Sequence, residues 1–177
     1  KSAIARFAEL GPAGAEGATF ENAASATAEP LIAAVVADDW SRYTALFSET
    51  LRGSDRRRLV QLDFDRDAHV AFALALAEGR RARGESELLA TRGERLALIR
   101  LTLVFEDGDV GPSEIDSLLV LEVDASGRIA AYVRFDPDDL DAAYAELDAR
   151  FEAGEGLERP SAAAWCSEFR RAFASRA

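Results

Sequence analysis

Glu122, Tyr132 and Arg134 are a carboxylate, a phenol and a guanidinium on two apolar runs, and together they could bind a ligand or move a proton. The runs are separated by Asp124-Ala125-Ser126-Gly127, which fits a type I turn closed by a left-handed glycine bulge. That turn predicts a register in which Asp124 faces Arg128, Glu122 faces Ala130, Val120 faces Tyr132 and Leu118 faces Arg134. Side chains alternate across a strand. One hairpin face then carries Leu119, Leu121, Val123, Ile129, Ala131, Val133 and Phe135, all apolar. The other carries Leu118, Val120, Glu122, Tyr132 and Arg134, and Arg100 and Thr102 interrupt the corresponding face of the preceding strand. Such a cluster can grip an anionic or carbonyl-bearing molecule, or it can form a solvated or dimer-facing ion-pair ladder. Flanking arginines lower a carboxylate pKa, which favours the ladder over proton abstraction.

Other candidates are weaker. His69 stands beside Asp65 and Asp67 near a helix start, where a lone histidine reads as a surface residue. A catalytic role would require Asp55 or Asp63 to be brought close by the fold. Trp40, Tyr43 and Phe47 form an aromatic stripe whose default role is core packing. In Arg56-Arg57-Arg58, strand alternation lets either Arg56 and Arg58, or Arg57 alone, point inward. Cys166 has no nearby base and is not read as a nucleophile. Gly79, Gly84 and Gly93 lack phosphate-loop spacing. One His and one Cys argue against zinc, no loop has calcium-binding spacing, and no metal or cofactor is expected.

Composition narrows the classes further. The 177 residues are 49% hydrophobic and 30% charged, in the globular range. A net charge of -11 disfavours nucleic acid as a partner. No apolar run approaches the roughly 20 residues that span a bilayer, so no membrane partner is expected. A single cysteine points to a reducing, cytoplasmic setting. A chain that begins at Lys1 and lacks methionine is expected to be a piece of a longer protein, with other domains as neighbours.

Several elements must position these residues. Residues 1–19, rich in glycine, read as a linker. A helical pattern covers 21–47, with Asp38-Asp39 capping a second helix near Trp40. Residues 51–64 are ambiguous and include a short strand through Leu59, Val60, Leu62 and Phe64. Asp65 caps a helix over 66–78 that Gly79 stops, with Val70, Ala73, Leu74 and Ala77 buried. Strands follow at 87–91 and 96–105 through Arg92-Gly93-Glu94, then at 116–124 and 128–136. Asp136 caps a closing helix with Pro137 at its first position and a stripe of Leu140, Ala143, Tyr144, Leu147 and Phe151. Gly154 ends it, and Trp165, Phe169 and Phe173 mark an amphipathic tail.

The segments ENAAS (21–25), DDW (38–40), DRRRL (55–59), LATRGERLALIR (89–100), LEVDASGRI (121–129) and FDPDDLDAAYAELDARF (135–151) carry a resemblance to the nuclear transport factor 2-like superfamily. The resemblance is to SnoaL-like domains found in large actinobacterial regulatory and ATPase-type proteins. It implies an α+β fold, a cone-shaped roll in which a strongly bent antiparallel sheet wraps around helices and encloses a pocket. The domain would cover 20–156, and 157–177 would be a C-terminal helix, either an ordinary tail or the start of a second copy.

In such a cone the aromatic stripe of Trp40, Tyr43 and Phe47 lines the pocket mouth. Asp55-Arg56-Arg57-Arg58 falls where relatives place polar pocket residues, and Arg57, His69, Arg100 and Arg134 complete the ligand-binding candidates. Two functions follow. One is a noncatalytic accessory domain of a larger protein that senses a small apolar or anionic molecule, self-associates as a homodimer, or does both. The other is an isomerase, cyclase or epoxide-opening enzyme with Glu122 or Asp116 as general base and Tyr132 and Arg100 stabilising an oxyanion. The lack of a convincing catalytic set favours the first.

Overall fold

The computed structural model describes residues 20–107 and 110–158. Asn22 anchors the start, because its side-chain amide donates to the carbonyls of Gly93 and Leu96. A 3-10 turn at Ser25–Thr27 leads into α1 (Ala28–Val36). Helix α2 (Trp40–Ala45) begins where the Asp39 carboxylate accepts from the Arg42 amide at 2.9 Å, as the acidic pair predicts. The helical pattern does not run on through Phe47, which instead opens strand β1 (Phe47–Asp55). β-Branched residues are scarce in that segment, so its strand character comes from pairing with neighbours rather than from propensity.

A turn connects β1 to the short β2 (Leu62–Asp65), and Asp65 caps α3 (Arg66–Ala77) by accepting from the Ala68 amide. Strands β3 (Arg81–Arg92), β4 (Leu96–Asp107), β5 (Val110–Val123) and β6 (Ile129–Phe135) follow, then α4 (Leu140–Ala153) and α5 (Glu155–Glu158). The linker of 1–19 and the tail aromatics Trp165, Phe169 and Phe173, with Cys166, lie outside the described residues.

The six strands form one open, curved sheet in the order β2-β1-β6-β5-β4-β3. It is antiparallel except where β1 runs parallel to β6. Its concave face and helices α1 to α3 enclose the larger core, which includes Leu31, Val35, Leu51, Ile99, Leu101 and Leu121. Its convex face carries a second core of Leu96, Leu98, Leu118, Val120, Val133 and Phe135, covered by Ala143, Leu147 and Phe151 of α4. The sheet is therefore apolar and buried on both sides at its centre, in β4, β5 and β6, while β2 and β3 are half-buried or exposed.

The terminal hairpin departs from the predicted register. The turn itself forms: Gly127 adopts φ +77 and donates to the Asp124 carbonyl, while Asp124 and Arg128 pair at 2.8 Å. Val123 then pairs with Ile129, but Glu122 pairs with Ala131 and Leu121 with Tyr132. Ala130 is the extra residue of a β-bulge. A bulge places two residues of one strand opposite one of the other, so every side chain beyond it changes face. Tyr132 therefore joins Ile129, Leu119 and Leu121 in the concave core, and Val133 and Phe135 join the convex one. The predicted face of Glu122, Tyr132 and Arg134 does not exist as a unit.

Two further corrections concern the helices. Helix α4 starts at Leu140, with Asp139 at the N-cap position and no side-chain capping bond. Asp136 does not cap it, because its carboxylate accepts from the Arg58 amide at 2.9 Å and forms an ion pair with the Arg58 side chain. In α3 the buried stripe is rotated. His69 is on it and Leu74 is off it, at 45% exposure.

Leu147 is fully buried in the convex core. Leu147→Ala should lower unfolding stability by about 2–4 kcal/mol, through lost transfer energy plus a residual cavity. Urea titration checks this, and a loss below about 1 kcal/mol would show that α4 is not needed to cover the sheet.

Candidate functional site

The concave face and α1 to α3 leave a cavity of about 100 Å³. Its wall is mostly apolar: Leu101, Leu103 and Phe105 from β4, Ala73 and Leu76 from α3, and Leu31 and Val35 from α1. The polar groups that reach it are Tyr43, Asp55, His69, Tyr132 and Arg134. Trp40 and Phe64 also line it.

Each polar group is placed by a local feature. The Asp65 cap starts α3 four residues before His69, which faces the sheet in register with Ala73 and Leu76 below it. His69 is only 7% exposed, contrary to the surface position its neighbours predict. Its ring stacks on Phe64 at 5.0 Å between centroids and lies 4.7 Å from that of Tyr132. Its Nε2 is 2.9 Å from the Tyr43 hydroxyl. Phe64 can sit this close to the sheet because residue 53, its partner in β1, is glycine; a Cβ there would lie 1.8 Å from the Phe64 ring. Phe47 packs behind the site, 4.8 Å from the His69 ring, and is not part of the cavity wall.

Asp55 and Arg134 are neighbours across the parallel β1–β6 ladder. Both oxygens of Asp55 are nevertheless taken by Arg57, with Nε 2.9 Å from Oδ1 and Nη2 2.7 Å from Oδ2. That bond raises the Arg57 pKa further and keeps its charge in place. Arg134, 8% exposed, donates through Nη2 to the Tyr132 hydroxyl and lies 5.4 Å from the Tyr132 ring centre. Its Nε is buried without a partner, and it forms no ion pair among the described residues. A charge taken out of water without a counter-ion is costly.

The surroundings set the protonation of two of these groups. Burial pushes the His69 imidazole down to about 3, with the positive charge of Arg134 adding to the effect. Burial raises Tyr43, as does Tyr132, while Arg134 pulls the other way. At neutral pH the cavity thus presents an uncharged imidazole, a protonated Tyr43 phenol, the Asp55 carboxylate held by Arg57, and the Arg134 guanidinium without an ion pair among the described residues. This arrangement can accept and donate hydrogen bonds and can neutralise a negative charge. It is poorly suited to taking a proton, because an imidazole with so low a pKa is a weak base near pH 7.

The remaining sequence candidates lie elsewhere. The Ala130 bulge separates Glu122 from Tyr132 and Arg134, and Glu122 instead pairs with Arg150 of α4 at 2.9 Å. Arg100 pairs with Asp116 by a bond from its Nε to Oδ1 at 3.0 Å, and neither is part of the cavity wall. Arg57 acts on the site through Asp55. Among the described residues, the three-carboxylate cluster that could hold a cation is Asp136, Asp138 and Asp139, and Arg58 bonds to the first two. Sequence reasoning set Asp55 aside as a conditional partner of His69, and it overlooked Phe64. The signal for His69 was present in the spacing 69, 73, 76, which makes the histidine the first member of the buried stripe.

No protein-family model matches the chain, and no curated relative does. Solved structures do. The chain is similar to RV0760c from Mycobacterium tuberculosis at 18% identity and a TM-score of 0.57, covering 70% of this chain and 96% of that one. It is similar to a Delta 5-3-ketosteroid isomerase from Mycobacterium sp. at 15% identity and a TM-score of 0.56, covering 69% and 97%. A computationally designed 17-OHP binder matches at 15% identity and a TM-score of 0.55, covering 64% and 91%. The fold is the nuclear transport factor 2-like, SnoaL-like cone.

Two outcomes follow from the electrostatics. Between pH 6.5 and about 3 the unfolded chain binds a proton at His69 that the native protein does not, so stability falls with pH over that window. His69→Gln removes this dependence, and its stability relative to the native protein should improve by about 2 kcal/mol from pH 7 to pH 5. Chemical denaturation at both pH values measures it, and a constant difference would mean His69 titrates normally. Arg134→Met should stabilise the ligand-free protein by about 1 kcal/mol, raising Tm by about 2–4 °C. A fall in Tm would show that Arg134 is compensated after all.

Proposed function

We propose that this is a noncatalytic binding domain that senses a compact, mainly apolar small molecule within a larger protein. The observation that carries the reading is the concave cavity, with its apolar wall and the polar groups of Tyr43, His69, Tyr132 and Arg134 converging on it. Catalysis is disfavoured by what surrounds the acids. Asp55, the carboxylate on the wall, is clamped by Arg57, and Glu122 and Asp116 sit in ion pairs away from the cavity. Self-association through the apolar convex face is disfavoured too, because α4 of the same chain covers it.

The neighbours support a binding role through fold alone. RV0760c has been crystallised in complex with estradiol-17beta-hemisuccinate, and the designed protein is a 17-OHP binder. The cavity of about 100 Å³ has room for a single small ring. The fitting ligand class is correspondingly small.

Isothermal titration with toluene and cyclohexanone tests the reading. Both should bind with submillimolar affinity. Ala73→Phe, which fills the cavity from α3, should weaken binding at least tenfold, about 1.4 kcal/mol, without unfolding the domain. If neither compound binds the native protein up to its solubility limit, the cavity is not a receptor site.

A further inference from the structure

We propose that the ligand is a small carboxylic acid, bound as its anion, with Arg134 as the counter-charge. This rests on the cavity being a ligand site and adds the chemical class.

The whole chain carries -11, so its long-range field repels anions. Any affinity for an acid must arise from a local positive group, and the cavity has one. Asp55 is the carboxylate best placed to neutralise Arg134, as its direct neighbour across the β1–β6 ladder. Instead Arg57 holds both Asp55 oxygens, and that pair cancels within itself. His69 is uncharged at neutral pH. Of the described residues on the wall, Arg134 is the cation without an ion pair, while the Asp55 carboxylate on the same wall is engaged by Arg57.

Geometry agrees. Arg134 is more than nine-tenths buried on a wall that, apart from the Arg57-bound Asp55, is aromatic and aliphatic, with Nε unpartnered. Its Nη2 bond to Tyr132 and the stacking distance of 5.4 Å hold the guanidinium in one orientation. A planar guanidinium fixed in this way, with donors to spare, matches a planar carboxylate in shape and charge. The Tyr43–His69 pair supplies additional polar contacts, and the apolar wall takes the hydrocarbon part. A phosphate monoester fits less well, because its second charge would have no partner and its carrier would have to be small.

The experiment compares matched acids and amides at pH 7 by isothermal titration. Benzoate and cyclohexanecarboxylate are set against benzamide and cyclohexanecarboxamide, with toluene as an uncharged reference. In the native protein each acid should bind at least tenfold more tightly than its amide. In Arg134→Met that preference should vanish, each acid binding no more tightly than its amide. If amides and toluene bind as well as the acids, the anion assignment is wrong and the apolar receptor reading stands. If nothing binds, both are wrong. An acid preference that survives in R134M would overturn the role of Arg134. Arg134→Gln replaces R134M if the latter does not fold, and the acid-to-amide ratio in the native protein is decisive without either.

Discussion

A single extra residue in β6, Ala130, governs where the polar groups of this domain can act. Without the bulge, Tyr132 and Arg134 would share a face with Glu122 and would meet α4 on the convex side. With it, they turn into the concave side, and Val133 and Phe135 take their place beneath α4. Both outcomes are needed at once. The convex core requires apolar residues from β6, and the cavity requires polar ones from the same strand. Strict alternation from Ile129 onward would have put the wrong set on each side.

The bulge is held by packing on both faces. Tyr132 lies within aromatic contact of Phe47, Phe64 and His69. Val133 and Phe135 are nearly fully buried against Leu147 and Phe151. Slipping the strand back by one residue would expose apolar surface above and bury Arg134 below, next to α4. Edge pairing adds to this: the Arg56 amide donates to the Arg134 carbonyl at 2.8 Å, tying β1 to β6 at the level of the cavity.

The cavity itself depends on how neighbouring charges are paired. A buried arginine beside an aspartate ordinarily forms an ion pair and becomes structural. Here Arg57 competes successfully for Asp55, since two residues along one strand end can form a two-point bond without bending the sheet. Among the described residues, Arg134 is left with the Tyr132 phenol as its side-chain hydrogen-bond partner. Its burial is a stability cost that packing elsewhere must offset, and polar strain of that kind concentrates at binding sites. The depressed His69 belongs to the same arrangement, because the apolar shell that desolvates Arg134 also desolvates the imidazole.

Much of this architecture is legible in the sequence. The caps at Asp39 and Asp65, the left-handed Gly79, Gly93 and Gly127, and the apolar stripe of α4 from Ala143 to Phe151, without the exposed Leu140, are all decided within about four residues along the chain. So is the Asp124 to Gly127 turn, whose bonds the sequence predicts correctly. The resemblance carried by the segments between 21 and 151 anticipated the cone.

The failures share one cause. Phe47 continued a helical stripe by spacing but became a strand, because β6 offered it a parallel partner. His69 looked exposed beside two aspartates but is buried, because α3 packs its histidine side on Phe64 and Tyr132. The hairpin register was right at the turn and wrong three residues later. By itself, then, the sequence determined most of the helices, strands β4 to β6, the hairpin turns and the apolar character of the central sheet, but not β1, since the former follow from local backbone and periodicity rules. Only the tertiary structure decided which side chains meet in the cavity, because a bulge and a competing ion pair draw their stability from residues distant in the chain.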